Sequence, residues 1–337
     1  MNRTIGSIVA VIAAGVVLAG CSQKEGSAPA AAGAQPAKAK QIKLAGIVFQ
    51  EDQFFRLVLF GMRDAAKKAG AELFEANSNN KPEKEIELIN TYATKKVDAI
   101  IVSPLSKKGS VQAMKQAYDQ GIKIVANNTP VDADFAASYI ECSAEDLGKQ
   151  TGEAARKFIQ EKLGGKAKIA ILAYKSQVPE QSNERSGGFK KEMSQLPGVE
   201  IVAEQDAWLP EMAVKKAGDI MTAHPDVNII WAANEGGTIG AALAVKNAGK
   251  AGQVAVFGTD SSQQLLDMLQ SDDNILQAIT SQRPVEVGQM SVEAALKAIR
   301  GEPLEKKIVL TGILLSRADP EGVKKFAAQL KEWTQKN

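Results

Sequence analysis

The sequence predicts an α/β protein of two doubly wound lobes, each a parallel sheet flanked by helices. Three observations carry that expectation. Apolar runs of strand length alternate with amphipathic runs of helix length along almost all of the chain beyond residue 41, which is the pattern of βαβ units. One strand–helix–strand phrase occurs twice, as GAELFEANSNN…KKVDAIIVS from Gly70 and as GVEIVAEQDAW…HPDVNIIWAA from Gly198, with nearly equal intervals from each glycine to Val97 and Val227. Two copies at that separation mark two similar lobes rather than a short-period solenoid. The third is the stretch KLAGIVFQEDQFF from Lys43 to Phe55. Its apolar start suits a strand buried on both faces, and its polar break suits the loop at a strand's carboxyl end, where open α/β sheets bind ligands.

The segment before residue 41 stands apart. Arg3 provides a positive n-region, Ile8 to Leu18 an apolar core too short to span a bilayer comfortably, and Leu18-Ala19-Gly20-Cys21 a small-residue cleavage site. That tetrapeptide resembles the lipobox of bacterial lipoproteins, which implies a signal peptide over 1–20, cleavage before Cys21 and lipidation of its sulfur. Residues 21–40, rich in Ala, Gly, Pro and Lys, read as a flexible tether.

Beyond it, strand-like runs cover 42–49, 71–76, 98–103, 122–126, 167–173, 199–204, 227–232, 253–258, 276–280 and 307–310. Helical patterns cover 54–69, 82–95, 108–120, 144–163, 183–195, 210–223, 237–248, 261–271 and 284–300, and a last amphipathic segment runs from Pro320 to Trp333. In the first helical pattern Phe55, Val58, Leu59, Met62, Ala66 and Ala69 recur at spacings of three and four.

Composition narrows the function. The chain has 337 residues, room for two domains, with 45% apolar and 24% charged residues. With 41 basic against 39 acidic residues and no basic run, a nucleic-acid partner is not expected. Besides Cys21 the only cysteine is Cys142, so no intramolecular disulfide is expected in the mature domain. The single histidine, His224, lies in an Ala-His-Pro-Asp turn, which argues against a zinc site and against Ser/His or Cys/His catalysis. The stretch NEGGTIG from Asn234 is neither G-x-G-x-x-G nor a P-loop, so no nucleotide cofactor or metal is expected.

Read together, the Asp52-Gln53-Phe54-Phe55 opening, Glu184-Arg185-Ser186-Gly187-Gly188-Phe189, Thr222-Ala223-His224-Pro225-Asp226-Val227, Ala233-Asn234-Glu235, Val256-Phe257-Gly258-Thr259-Asp260 and Gln282 before Pro284 are specific in combination. They resemble type I periplasmic binding proteins, the ribose- and galactose-binding proteins of bacterial ABC importers. The resemblance spans roughly Gln41 to Thr311. It implies lobes of 41–142 with 283–311 and of 143–282 with 312–337, a three-segment hinge, and closure around a monosaccharide or polyol delivered to a permease. It further implies a monomer without cofactors, not an enzyme, held in the cell envelope through Cys21.

The same resemblance implies a set of ligand-binding residues. Asp52, Asn128, Asn234, Asp260 and Gln282 would exchange hydrogen bonds with hydroxyls, and the fork of Arg185 would donate to hydroxyls or the ring oxygen. Phe54 and Phe55 would cover one face of the sugar, unless one of them only packs the helix start, and Trp208 would be the platform from the second lobe. Asn127 stays an alternative to Asn128, and Glu51 a further candidate. Asn128, Asn234 and Asp260 could instead cap helices, Arg185 could be a surface charge, and Trp208 core. The chain departs from ribose binders where they carry Asp-Arg, having Asn128-Thr129, which leans away from ribose itself. A chemoreceptor or sensor-kinase ligand domain and an amino-acid binder remain the alternatives. A repressor of the same lobe architecture would carry a helix-turn-helix where this chain has the lipobox and tether.

Overall fold

The computed structural model describes residues 41–335; the expected signal peptide, tether and Cys21 anchor lie outside the described residues. Alternation gives the strands β1 (Lys43–Val48), β2 (Glu72–Asn77), β3 (Ala99–Val102), β4 (Lys123–Asn127), β5 (Ser138–Cys142), β6 (Lys166–Ala173), β7 (Gly198–Asp206), β8 (Ile229–Ala232), β9 (Ala255–Thr259), β10 (Leu276–Ser281), β11 (Lys307–Leu310) and β12 (Ile313–Ser316). The helices are α1 (Gln53–Lys68), α2 (Pro82–Thr94), α3 (Val111–Asp119), α4 (Ala144–Lys162), α5 (Pro179–Met193), α6 (Pro210–Ala223), α7 (Glu235–Asn247), α8 (Gln263–Gln270), α9 (Pro284–Arg300) and α10 (Pro320–Gln335). Among the described residues no helix is long and apolar enough to cross a membrane.

Two six-stranded sheets form, with orders β11-β5-β4-β3-β1-β2 and β12-β10-β9-β8-β6-β7. Every pairing is parallel except that of β12 with β10. Each sheet reverses its winding once, between β1 and β3 in the first and between β6 and β8 in the second. Those are the switch points where strand ends open a crevice. The chain passes between the sheets three times: after β5, after β10, and between β11 and β12.

Start signals are local. Asp52, Ser143, Asn234 and Ser262 accept a backbone N–H at the heads of α1, α4, α7 and α8, while α2, α5, α6 and α9 begin on proline. α5 therefore starts at Pro179, before the expected 183, because the proline has no N–H for the first turn to leave unpaired. β5 and β12 were not expected. Glu141 interrupts the apolar run of β5, and β12 follows β11 after only Thr311 and Gly312.

The core repeats the logic in both lobes. Leu44, Ile47, Ile100, Ile101, Ile124 and Ile140 are wholly buried in the first sheet, as are Ile169, Ile171, Ile229, Trp231 and Phe257 (to within 1%) in the second. Trp231 stacks on Phe189 at 4.8 Å and donates from Nε1 to Thr151 Oγ1 at 3.0 Å, so its polar atom is satisfied. α4 and α5 meet backbone to backbone at Gly148, where a Cβ would overlap the carbonyl oxygen of Arg185.

Candidate functional site

Residues at the carboxyl ends of β1, β4, β6, β8, β9 and β10, with the first turns of α1 and α5, surround one cavity with about 360 Å³ of empty space, part of it open to solvent. It is lined by Asp52, Phe54, Phe55, Asn128, Arg185, Asn234, Asp260 and Gln282, together with Phe49, Gln50, Tyr174, Gln177, Val178 and Gln181. A roomier hollow, lined by Lys96, Asp98, Gln120 and Lys123 among others, lies at the opposite, amino ends of β3 and β4, where open sheets do not collect ligands.

Asp52 has two jobs. Its Oδ1 accepts the Phe55 N–H at 2.9 Å as the cap of α1, and its Oδ2 accepts from Gln50 Nε2 at 2.8 Å. Burial pushes its carboxyl up to about 6, against the Phe55 N–H, which stabilises the ionised form. Phe54 and Phe55 do not divide packing and lining between them. Both are buried, both line the cavity, and they meet edge to face at 4.9 Å, with Phe49 against Phe55 at 4.6 Å.

Asn128 adopts φ +62° just beyond β4, where Asn is the tolerated side chain. Its carbonyl and Oδ1 accept from Gln181 Nε2 at 3.0 and 3.2 Å. Asn127 points elsewhere: it is wholly buried, accepts from Ser103 Oγ and donates to Ser291 Oγ, tying β3 and β4 to α9. Glu51 is exposed and does not line the cavity.

Arg185 is only 2% exposed. It donates from Nη1 to the Ala233 carbonyl at 2.8 Å and from Nη2 to Gln282 Oε1 at 2.6 Å, and its guanidinium lies over the Tyr174 ring at 5.3 Å. Its Nε, also buried, has no partner. Gln282 Nε2 donates to Asp260 Oδ1, and the Glu235 N–H donates to Asp260 Oδ2 at 2.8 Å. Burial raises the Asp260 carboxyl from its ordinary value, opposed by Arg185 and these hydrogen bonds. Glu235 also rises, to about 8, through burial and then the charges of Asp52 and Asp260. Asn234 combines both readings open to it, capping α7 through Oδ1 and lining the cavity. Asp260 does not cap α8, which Ser262 does; it accepts instead from the first N–H of α7.

Trp208 is the correction. It does not line the cavity; it is half-buried against the hydrophobic core, and its carbonyl accepts from Asn234 Nδ2 at 2.9 Å. The second lobe's aromatic wall is Tyr174, whose hydroxyl donates to Gln181 Oε1 at 2.7 Å; burial raises its pKa. Tyr174 follows β6 directly, so the strand-end rule that singled out Asp52 would have found it. Gln177 and Gln181 carry no such signal, being amides at the entry of α5. Gln177 Nε2 bridges the lobes, donating to Gln50 Oε1 and, at 2.9 Å, to Asn80 Oδ1. Gln263 N–H does the same to Gln53 Oε1 at 3.1 Å.

Chemically, the cavity offers mixed donors and acceptors, apolar rings on two sides and a buried cation whose Nε has no partner. Comparison with known proteins agrees in kind. A sequence profile described as a periplasmic binding protein domain matches residues 46–303. The ABC transporter periplasmic-binding protein YphF of Escherichia coli is 27% identical over 290 residues, covering 84% of this chain and 88% of that protein. The D-allose-binding periplasmic protein of E. coli is 27% identical over 258 residues, covering 73% of this chain and 81% of that protein. An ABC transporter periplasmic solute-binding protein from Actinobacillus succinogenes, solved with bound D-allose, superposes with a TM-score of 0.77 at 27% identity, covering 84% of this chain and all of that one.

Proposed function

The chain belongs to the periplasmic binding protein family, and from that premise we propose that it captures a monosaccharide or close polyol between its lobes for an ABC transporter permease. The observation that carries the proposal is Arg185: a buried guanidinium whose Nε is unpaired in a cavity walled by Phe54, Phe55 and Tyr174. A buried donor without a partner is costly, and a sugar hydroxyl or ring oxygen supplies the acceptor while the rings cover its C–H faces. The relatives that are named for or solved with D-allose support a monosaccharide of that class.

The mechanism is closure without covalent chemistry. The lobes are taken as 41–142 with 283–311 and 143–282 with 312–337, and the sugar replaces water between them. The protein works outside the cytoplasmic membrane, and its anchor is the lipid on Cys21. Changing Cys21 to Ala should move it from the membrane to the soluble fraction; a mature protein that keeps Met1 would sink the anchor.

A thermal-shift screen of aldoses, ketoses, polyols and amino acids tests the ligand class, since a tight ligand raises stability by mass action. A monosaccharide or polyol should give the largest shift, and Arg185→Ala should cost about 2–5 kcal/mol of binding. A sugar whose affinity survives that change would show the site to be elsewhere.

A further inference from the structure

Behind the Asn128–Gln181 wall lies a second chamber with about 240 Å³ of empty space, open enough inside for roughly one water-sized group. Asn128 and Gln181 line both chambers. The inner one is rich in acceptors: Glu141, Glu180 and Glu184 all line it, with Lys107 as the only cation among its lining residues.

These acids are not equally compensated. Glu141 accepts from the Tyr139 hydroxyl and pairs with Lys307 at 2.7 Å. Glu184 lies 3.9 Å from Lys107, with both side chains partly exposed to solvent. Glu180, in the first turn of α5, keeps a buried Oε2 with no partner. Thr129, which also lines the chamber, is 2% exposed, and its Oγ1 likewise has no partner. Two buried, unsatisfied oxygens in one small chamber require a donor, and a surplus of carboxylates favours a cationic one.

We propose that this chamber is a subsite for a primary ammonium group carried by the ligand, so that the preferred solute is an amine-bearing polyol or sugar rather than its neutral parent. The proposal rests on the sugar-binding reading of the main cavity. The ammonium has three N–H donors. It meets Glu180 Oε2 and Thr129 Oγ1, and reaches the Asn128 oxygens that Gln181 Nε2 otherwise serves. The amine arm enters as Gln181 gives up those bonds, while the polyol ring stays against Arg185 and the aromatic walls.

Calorimetry on the full chain tests this with matched pairs at pH 7: glucosamine against glucose, an aminodeoxyallose against allose, and an aminodeoxyinositol against myo-inositol, with ammonium chloride alone as a further arm. In at least one pair the amine should bind at least ten-fold tighter than its parent. Glu180→Gln, which keeps the side chain's shape, should bring that pair to within three-fold of parity and leave the parent's Kd unchanged. Thr129→Val should reduce the preference severalfold. Parents binding as well as or better than amines would overturn the subsite and leave the chamber to water. So would a preference that survives Glu180→Gln, or stabilisation by free ammonium with no preference within any pair. Failure of every member of every pair would bring down the sugar reading itself, a result distinct from parents binding alone.

Discussion

Gln282 receives Arg185 Nη2 at 2.6 Å on its oxygen and donates with its nitrogen to Asp260. One neutral amide thus stands between a buried guanidinium and a buried carboxyl and gives each a hydrogen bond. A leucine at this position would keep the volume and lose both hydrogen bonds. Gln282→Leu is expected to lower stability by about 2–4 kcal/mol, because each charged group keeps its desolvation cost without its partner. Urea unfolding measures this. A loss under about 0.5 kcal/mol would mean that water replaces the amide at no cost.

Glu235 sets a pH dependence. Its carboxyl rises from 4.5 to about 8 in the folded protein, first through burial and then through Asp52 and Asp260. The folded state therefore holds a proton that the unfolded chain releases above about pH 4.5. This group's contribution is full below that pH and is lost as pH rises through about 8. Asp52, raised from 3.8 to about 6, acts in the same sense at lower pH. Glu235→Gln should flatten the fall in stability between pH 6 and 8 and leave the variant on the order of 2 kcal/mol more stable than the wild type above pH 8. Parallel stability–pH curves for the two proteins would refute the assignment.

Gly148 couples helix packing to the site. A methyl there would strike the backbone of Arg185, whereas one on Gly187, in the same helix as Arg185, would meet nothing. Gly148→Ala should cost about 1–3 kcal/mol as an overpacking substitution and should weaken sugar binding by moving α5. Gly187→Ala should be neutral or slightly stabilising, as alanine is the better helix former. Equal melting temperatures for the two variants would show that α4 and α5 adjust freely.

Gln177 joins the lobes through Gln50 and Asn80. Gln177→Ala should enlarge the ligand-free radius of gyration in small-angle scattering and weaken binding three- to ten-fold, mostly through faster release. An unchanged radius with unchanged release would assign closure to other contacts.

How much of this was legible in the sequence depends on what each residue answers to. Buried parallel strands announce themselves as apolar runs, so β1, β3 and β8 were readable, whereas β5 hides behind Glu141. The cavity wall was readable where a strand runs into a polar residue, as at Asp52 and Asn234, while Asn128, Asp260 and Gln282 were reached through resemblance. Arg185 was reached through resemblance alone, since a charge on a helix gives no sign of burial. Trp208 was misassigned for a geometric reason: it follows β7, an edge strand outside the switch point, while Tyr174 follows β6 beside it. Gln177 and Gln181 depend on how the lobes meet, which no local pattern encodes.

The crossing from β11 to β12 has a consequence for the order of assembly. β11 completes the edge of the first sheet and β12, a few residues later, the edge of the second; α9, which packs on the first sheet, also follows every other strand of the second. The first sheet lacks its last strand until residue 310 has been synthesised, and the second until residue 316. A nascent chain therefore carries both sheets unfinished through most of translation, with apolar edges that only its last segments cover. Cutting the chain after residue 306 should leave both halves open to protease, not one. A polypeptide that stays unclosed this long remains threadable, which is compatible with the extracytoplasmic location that its family implies.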